Sequence, residues 1–114
     1  MTNIVIENAP GDDWQKITRN SVREYLKTNG INPQASVNVF FVTKRKMRSL
    51  NLKYRKIDSS TDVLSFPIWE SKTDIPATGE VGLGDIFICP EEMEFKKLGF
   101  LIRHSLDHLI GKHH

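Results

Sequence analysis

The run Val81-Gly-Leu-Gly-Asp85-Ile-Phe-Ile-Cys89 is the strongest strand signal in the chain, because β-branched and aromatic residues dominate its second half. Residues 36–42 (SVNVFFV) and the shorter run 61–66 (TDVLSF) have the same character. Residues 3–7 (NIVIE) alternate weakly, as a short strand does. The sequence thus predicts a sheet of about four strands.

Helical patterns fill the spaces between these strands. Apolar residues from Trp14 to Leu26 recur with the period of a helix. Thr43 is a suitable cap for a second, basic helix. Pro90 and two glutamates open a third helix, which we expect to run to about Ile110. The order β-α-β-α-β-β-α predicts an α/β (α+β) fold, with a single-layer mixed sheet packed against helices.

The composition fits one ordinary domain over residues 1–114. With 39% hydrophobic and 26% charged residues, a chain of this length can build one core without disulfides. Its single cysteine, Cys89, fits a reducing compartment. The chain has no apolar run of the ~20 residues that a membrane span needs, and residues 1–6 do not resemble a signal peptide. We therefore expect a cytoplasmic protein with no membrane partner.

Charge is distributed unevenly along the chain, although the net charge is only +2. Residues 43–57 carry seven basic side chains and no acidic one, whereas residues 58–94 carry nine acidic side chains and one lysine. A phosphate-binding face beside a cation-binding face would produce this asymmetry. A solvated basic helix beside acidic loops explains it more simply, so charge alone does not assign a function.

The strongest chemical signal is the last segment, His104-Ser-Leu-Asp-His108-Leu-Ile-Gly111-Lys-His-His114. Histidines four residues apart lie on one face of a helix, and both can reach a single ion at about 2.0–2.1 Å. Gly111 can adopt the left-handed conformation that ends a helix, so His114 can return to the same ion. Three protein ligands leave a fourth position for water, as in catalytic zinc sites. We predict one zinc ion, bound by these three histidines at the C-terminal helix and the turn that follows it.

Three separated motifs together resemble one known family. Residues 54–67 (YRKIDSSTDVLSFP), residues 83–86 (LGDI) and the histidine segment match, in this order, the pattern of the YbeY family. That family consists of metal-dependent endoribonucleases implicated in ribosomal RNA maturation. The similarity extends from about residue 37 to the end. The chain departs from the family pattern at Ser59-Ser60, Ser105, Asp107 and His113.

The resemblance implies the same three zinc ligands and adds roles for further residues. Arg55 matches the family's functional arginine, and its guanidinium can hold a phosphate through two parallel hydrogen bonds. Asp85 is a candidate for orienting a ligand histidine or for acid–base chemistry; a buried structural carboxylate explains it equally well. Asp62 and Ser65 match motif positions and are interpreted chiefly as strand and loop structure. Sequence-independent affinity for the RNA backbone would come from Lys44, Arg45, Lys46, Arg48 and Lys56.

These observations favour a metal-dependent endoribonuclease that acts in small-subunit ribosomal RNA processing and ribosome quality control. Its expected partners are single-stranded regions of ribosomal RNA and ribosomal proteins. One alternative is a non-catalytic zinc-binding factor for ribosome assembly or RNA binding, and another is a metal hydrolase for a small phosphoester. A zinc protease of the H-E-x-x-H type does not fit, because Ser105 stands where the general-base glutamate is needed.

Overall fold

The computed structural model describes residues 3–112, which form a four-stranded sheet with helices on both faces. The strands are β1 (Asn3–Glu7), β2 (Ala35–Phe41), β3 (Val63–Pro67) and β4 (Val81–Ile88). The longer helices are α1 (Asp12–Thr28), α2 (Lys44–Arg55) and α3 (Leu98–Leu109). The predicted order of elements and the α/β class are confirmed. Within the described range, no helix combines the length and apolar character needed to cross a membrane.

The sheet is mixed, as predicted, and its strand order is β1-β2-β4-β3. β1, β2 and β4 run parallel, whereas β3 pairs antiparallel with β4 at one edge. β2 alternates buried and half-buried residues along its whole length, because helices cover both faces of the sheet. Residues that stand opposite each other on β3 and β4 point to the same face. This register decides which side chains of the edge strand reach the candidate site.

The two faces of the sheet carry separate hydrophobic clusters. α1 and α3 pack together on one face and form the main core with it. Val22 of α1, Ile102 of α3 and Ile86 of β4 are fully buried there. On the other face α2 covers a smaller cluster that contains Met47 and Cys89. Because burying one such aliphatic side chain contributes ~1.5–3 kcal/mol, the main core dominates the stability of the fold.

Helix α2 begins and ends as local signals dictate. The backbone N–H of Lys46 donates a hydrogen bond of 3.2 Å to the Thr43 side chain, which confirms the predicted cap. The helix ends after Arg55, where Lys56 takes a left-handed conformation with φ of 61°. Arg55 is thus the last helical residue and lies beside the segment that leads into β3.

The third helix begins at Leu98, not at Pro90, so the predicted start is wrong. Pro90 opens only a short 3-10 turn, Pro90–Glu92, and a second turn covers Phe95–Lys97. Between them Met93 has an extended backbone, with φ of −147° and ψ of 164°, which a continuous helix does not permit. Met93 packs against the main core, so tertiary packing overrides the local helix-start signal.

Candidate functional site

An open cavity of about 560 Å³ lies between α3, β3 and the end of α2. The side chains that line it include His104 and His108 of α3, Ser65 of β3 and Arg55 of α2. Other surface cavities have similar volumes, so chemistry rather than size distinguishes this one. The fold therefore brings together three residues that the sequence predicts as site residues, the two histidines and Arg55.

The two histidines lie on adjacent turns of α3. Their ring centroids are 4.8 Å apart, and both residues are half-buried. Nδ1 of His108 lies 3.4 Å from Oγ of Ser65. When Nδ1–H donates a hydrogen bond to the serine oxygen, Nε2 carries no proton, and its lone pair is available to bind a metal ion. Support of this kind is typical of metal-binding histidines.

The donor chemistry of this pair fits a zinc-like ion. Half-buried imidazoles 4.8 Å apart on one helix face are nitrogen donors of the kind that zinc prefers. Within residues 3–112, no three His, Cys, Asp or Glu side chains form a group that could hold a metal ion. The described part of the chain thus supplies two donors, and the predicted third ligand, His114, lies outside the described residues. Zinc binding stays a prediction.

The turn after α3 has the backbone conformation that the sequence predicts. Gly111 has φ of 83°. Its N–H donates to the carbonyl of His108 at 3.2 Å, and the N–H of Lys112 donates to the carbonyl of Asp107 at 2.8 Å. This bond pair ends helices in which glycine occupies the left-handed position. A Cβ at Gly111 would also lie 2.6 Å from the carbonyl oxygen of Glu70, so position 111 has no room for a side chain.

Asp85 lies on the opposite face of the sheet from the histidines. It pairs across β3–β4 with Phe66, which belongs to the cluster beneath α2. The next residue, Ile86, is buried in the core beneath α1 and α3, and alternate residues of a strand point to opposite faces. Oδ1 of Asp85 accepts a hydrogen bond of 3.0 Å from Nδ2 of Asn38. The structure does not bring Asp85 together with the histidines, which corrects the expectation that it orients one of them.

The carboxylate that the fold places at the cavity is Asp62. It is half-buried just before β3 and lines the same cavity as Arg55. Its backbone carbonyl accepts a hydrogen bond of 2.9 Å from the N–H of Cys89, and Oγ1 of Thr61 lies 3.4 Å from its Oδ1. The sequence pattern indicates only strand and loop structure for Asp62 and Ser65, because a motif position does not give the direction of a side chain.

The basic side chains that the sequence predicts to bind RNA, together with Arg55, fall into two groups. Lys44 lies 3.0 Å from Glu92, whose hydrogen bond and charge raise the pKa of the lysine. Arg48 donates two hydrogen bonds to Asp58, at 2.7 and 3.2 Å, and these lower the pKa of the carboxyl. Among residues 3–112, no ion pair involves Arg45, Lys46, Arg55 or Lys56. Within the described part of the chain, the second group is therefore not engaged in ion pairs.

Two departures from the family pattern have identifiable surroundings. Asp107 accepts a hydrogen bond from the hydroxyl of Tyr25, which joins α3 to α1. Burial raises the pKa of Tyr25, and the hydrogen bond to Asp107 raises it further, so the hydroxyl stays protonated near neutral pH.

Ser105 is 1% exposed, and its Oγ has no hydrogen-bond partner in the described part of the chain. It lines the cavity beside the histidines. His113 lies outside the described residues.

The chain is similar to proteins of known family over almost its whole length. A family model described as "Endoribonuclease YbeY" matches residues 3–114. The endoribonuclease YbeY of Lachnospira eligens is 34% identical, and the match covers 90% of this chain and 77% of that protein. The one of Staphylococcus aureus is 33% identical, with 90% and 75% covered. The solution structure of TM1509 from Thermotoga maritima matches with a TM-score of 0.60 at 25% identity, over 97% of this chain and 73% of that one.

Proposed function

Because this chain belongs to the endoribonuclease YbeY family, we propose that it hydrolyses phosphodiester bonds of RNA at the cavity between α3, β3 and α2. One observation supports this site above all: the fold brings a histidine pair, an arginine and a carboxylate to a single cavity. We propose ribosomal RNA as the substrate, in small-subunit maturation and ribosome quality control in the cytoplasm, with ribosomal proteins as partners.

One zinc-like ion, held by His104, His108 and His114, is part of the proposal. When bound, such an ion lowers the pKa of a coordinated water toward ~7 or polarises a phosphoryl oxygen. The half-buried imidazoles on adjacent turns of α3 support this ligand set. The hydroxyl of Ser65, 3.4 Å from Nδ1 of His108, can orient the ring of this histidine. The left-handed backbone of Gly111 lets the chain reverse direction after α3.

Arg55 and Asp62 are the residues that we expect to act on the substrate. The exposed guanidinium of Arg55 can hold a phosphate through two parallel hydrogen bonds and stabilise the negative charge that develops on it. The half-buried carboxylate of Asp62 can accept a proton from the attacking oxygen. Asp85 is left with a structural role, in which it holds Asn38 on the far face of the sheet.

Four basic residues of α2 and one directly after it are proposed to bind the RNA backbone, namely Lys44, Arg45, Lys46, Arg48 and Lys56. We expect most of the affinity from Arg45, Lys46 and Lys56, which have no ion-pair partner within residues 3–112. Lys44 and Arg48 each face a carboxylate, so they release fewer counterions when a phosphate approaches and contribute less.

The direct test is cleavage of a single-stranded ribosomal RNA fragment by purified protein, with and without a chelator. We expect cleavage that the chelator abolishes and that one equivalent of zinc restores. RNA binding should fall steeply as salt concentration rises. Salt-dependent RNA binding without cleavage by the zinc-loaded protein would assign the chain to the non-catalytic alternative. Absence of both would favour a small phosphoester as the substrate.

Arg55→Ala should lower the kcat of RNA cleavage at least about tenfold, equivalent to ~1.4 kcal/mol of barrier. An arginine poised on the scissile phosphate acts mostly in the transition state, so kcat should fall more than RNA affinity, with zinc content intact. Arg45→Ala is the matched control, because Arg45 is also exposed on α2 but lies outside the cavity. It should weaken binding slightly and reduce its salt dependence. Equal loss of kcat in both variants would show that Arg55 has no specific role in catalysis.

A further inference from the structure

Phe100 is an exposed aromatic residue at the edge of the proposed active site. It is 58% exposed, although it lies on α3 only one turn before His104. The helix buries a different set of side chains, namely Leu98, Leu101, Ile102, Ser105, Leu106 and Leu109. Phe100 therefore contributes little to the core, and its ring is open to a ligand without any rearrangement of the fold.

The ring of Phe100 continues the row of histidines along one flank of α3. Its centroid is 6.0 Å from that of His104, and the two ring planes differ by only 10°. His104 is followed by His108 at the next turn, with 4.8 Å between ring centroids. Spacing of four residues places all three rings on one flank of the helix. The phenyl face thus stands next to the groups that we propose to hold the ion.

The surroundings of Phe100 favour a nucleobase over a phosphate. Phe100 also lines a second cavity of about 530 Å³, whose lining does not include the histidines. The charged residues that line this second cavity are Asp62, Glu92, Glu94 and Lys97. Glu92 is paired with Lys44 and Glu94 with Lys96, so the negative and positive charges around this cavity balance. The cavity therefore has no excess positive charge to attract a phosphate, whereas an uncharged base needs none. Met93 and Leu101 add apolar surface to the same cavity.

We propose that Phe100 is a stacking platform for an unpaired base of the RNA next to the scissile phosphate. The proposal rests on the endoribonuclease function and adds a residue that determines specificity. With the phosphate at Arg55 and the histidines, the adjoining base lies over Phe100 and enters the second cavity. Any base can stack on an aromatic ring. A base in a duplex is already stacked and paired, so the platform selects single-stranded RNA without reading its sequence.

Phe100→Ala tests the proposal on two RNAs that differ by one base. One is a single-stranded fragment, and the other carries an abasic nucleotide beside the cleavage site. On the intact RNA, Phe100→Ala should raise KM between about fivefold and about a hundredfold, and Phe100→Trp should restore it. The wild type should lose a similar factor on the abasic RNA, where Phe100→Ala should cause no further loss. This non-additivity is the signature of a ring and a base that contact each other.

Phe95→Ala is the matched control, because Phe95 is 41% exposed but packs against Trp14, away from the site cavity. Its KM on both RNAs should equal that of the wild type. A wild-type KM for Phe100→Ala on intact RNA, or an equal loss on the intact and abasic RNAs, would overturn the stacking platform. If the wild type binds RNA but does not cleave it, dissociation constants replace KM in the same comparison. The stacking platform is then tested independently of the proposed catalysis.

Discussion

His108→Ala should bind no zinc at the concentrations that saturate the wild-type protein, and its RNA cleavage should fall at least about a hundredfold. Loss of a residue that merely supports a metal ligand costs about 10–100-fold in metal affinity or activity, so loss of a ligand should cost more. His104→Ala should behave in the same way, because the two rings stand 4.8 Å apart on one flank of α3. Metal analysis of the purified variants measures the zinc content.

Two further variants test whether the loss of zinc depends on distance from the histidines. Ser65→Ala removes the hydroxyl 3.4 Å from Nδ1 of His108, and we expect it to weaken zinc binding about tenfold without abolishing it. Arg103→Ala, an exposed position on the same helix, should leave zinc content unchanged. Thermal unfolding of the zinc-free proteins should give similar midpoints for all variants. Unchanged zinc stoichiometry in both histidine variants would refute the site.

Gly111→Ala should destabilise the protein by several kcal/mol and weaken zinc binding, although it removes no ligand. A left-handed backbone costs a residue with a Cβ ~1–2 kcal/mol. The new methyl group would also overlap the carbonyl oxygen of Glu70, 2.6 Å away, and relief of such overlap costs a further ~1–3 kcal/mol. Relief of the overlap by movement of the turn after α3 shifts the backbone at Lys112, and we expect the predicted ligand His114 to be shifted with it.

Gly79→Ala separates the two causes, because Gly79 has φ of 82° against 83° for Gly111. A Cβ at Gly79 meets no atom within 4 Å, so this variant has the backbone strain without the overlap. We expect it to cost ~1–2 kcal/mol and to leave zinc affinity unchanged. Urea unfolding of the zinc-free proteins measures both costs. Equal destabilisation by the two variants would show that contact with Glu70 does not fix the turn.

Features that depend on neighbours in the sequence were predictable from the sequence. The cap at Thr43, the left-handed Gly111 and the adjacent turns of His104 and His108 are all present as expected. Each depends on backbone hydrogen bonds or φ preferences within about one helical turn. The order of strands and helices was predictable for a similar reason, because each segment has its own hydrophobic periodicity.

Features that depend on distant partners were decided by the tertiary structure. Pro90 has every local sign of a helix start, but contact of Met93 with the main core keeps the chain extended there. The ion pairs of Lys44 and Arg48 join α2 to Glu92 and Asp58, and no local pattern marks these two residues among the basic residues of the helix. The packing of α2 against its surroundings therefore decides which of its basic side chains form ion pairs within the described residues.

Asp85 shows most clearly the difference between what the sequence determines and what the tertiary structure decides. Simple alternation places Asp85 on the same face as Leu83, and Leu83 is buried in the main core. The pairing of β4 with β2 advances from Gly82 directly to Gly84, so Leu83 is an extra residue in β4, and the alternation is inverted after it. Asp85 consequently faces α2. The sequence alone determined that a carboxylate follows a glycine in this strand; the register with neighbouring strands, set by packing across the whole sheet, decided which face it occupies.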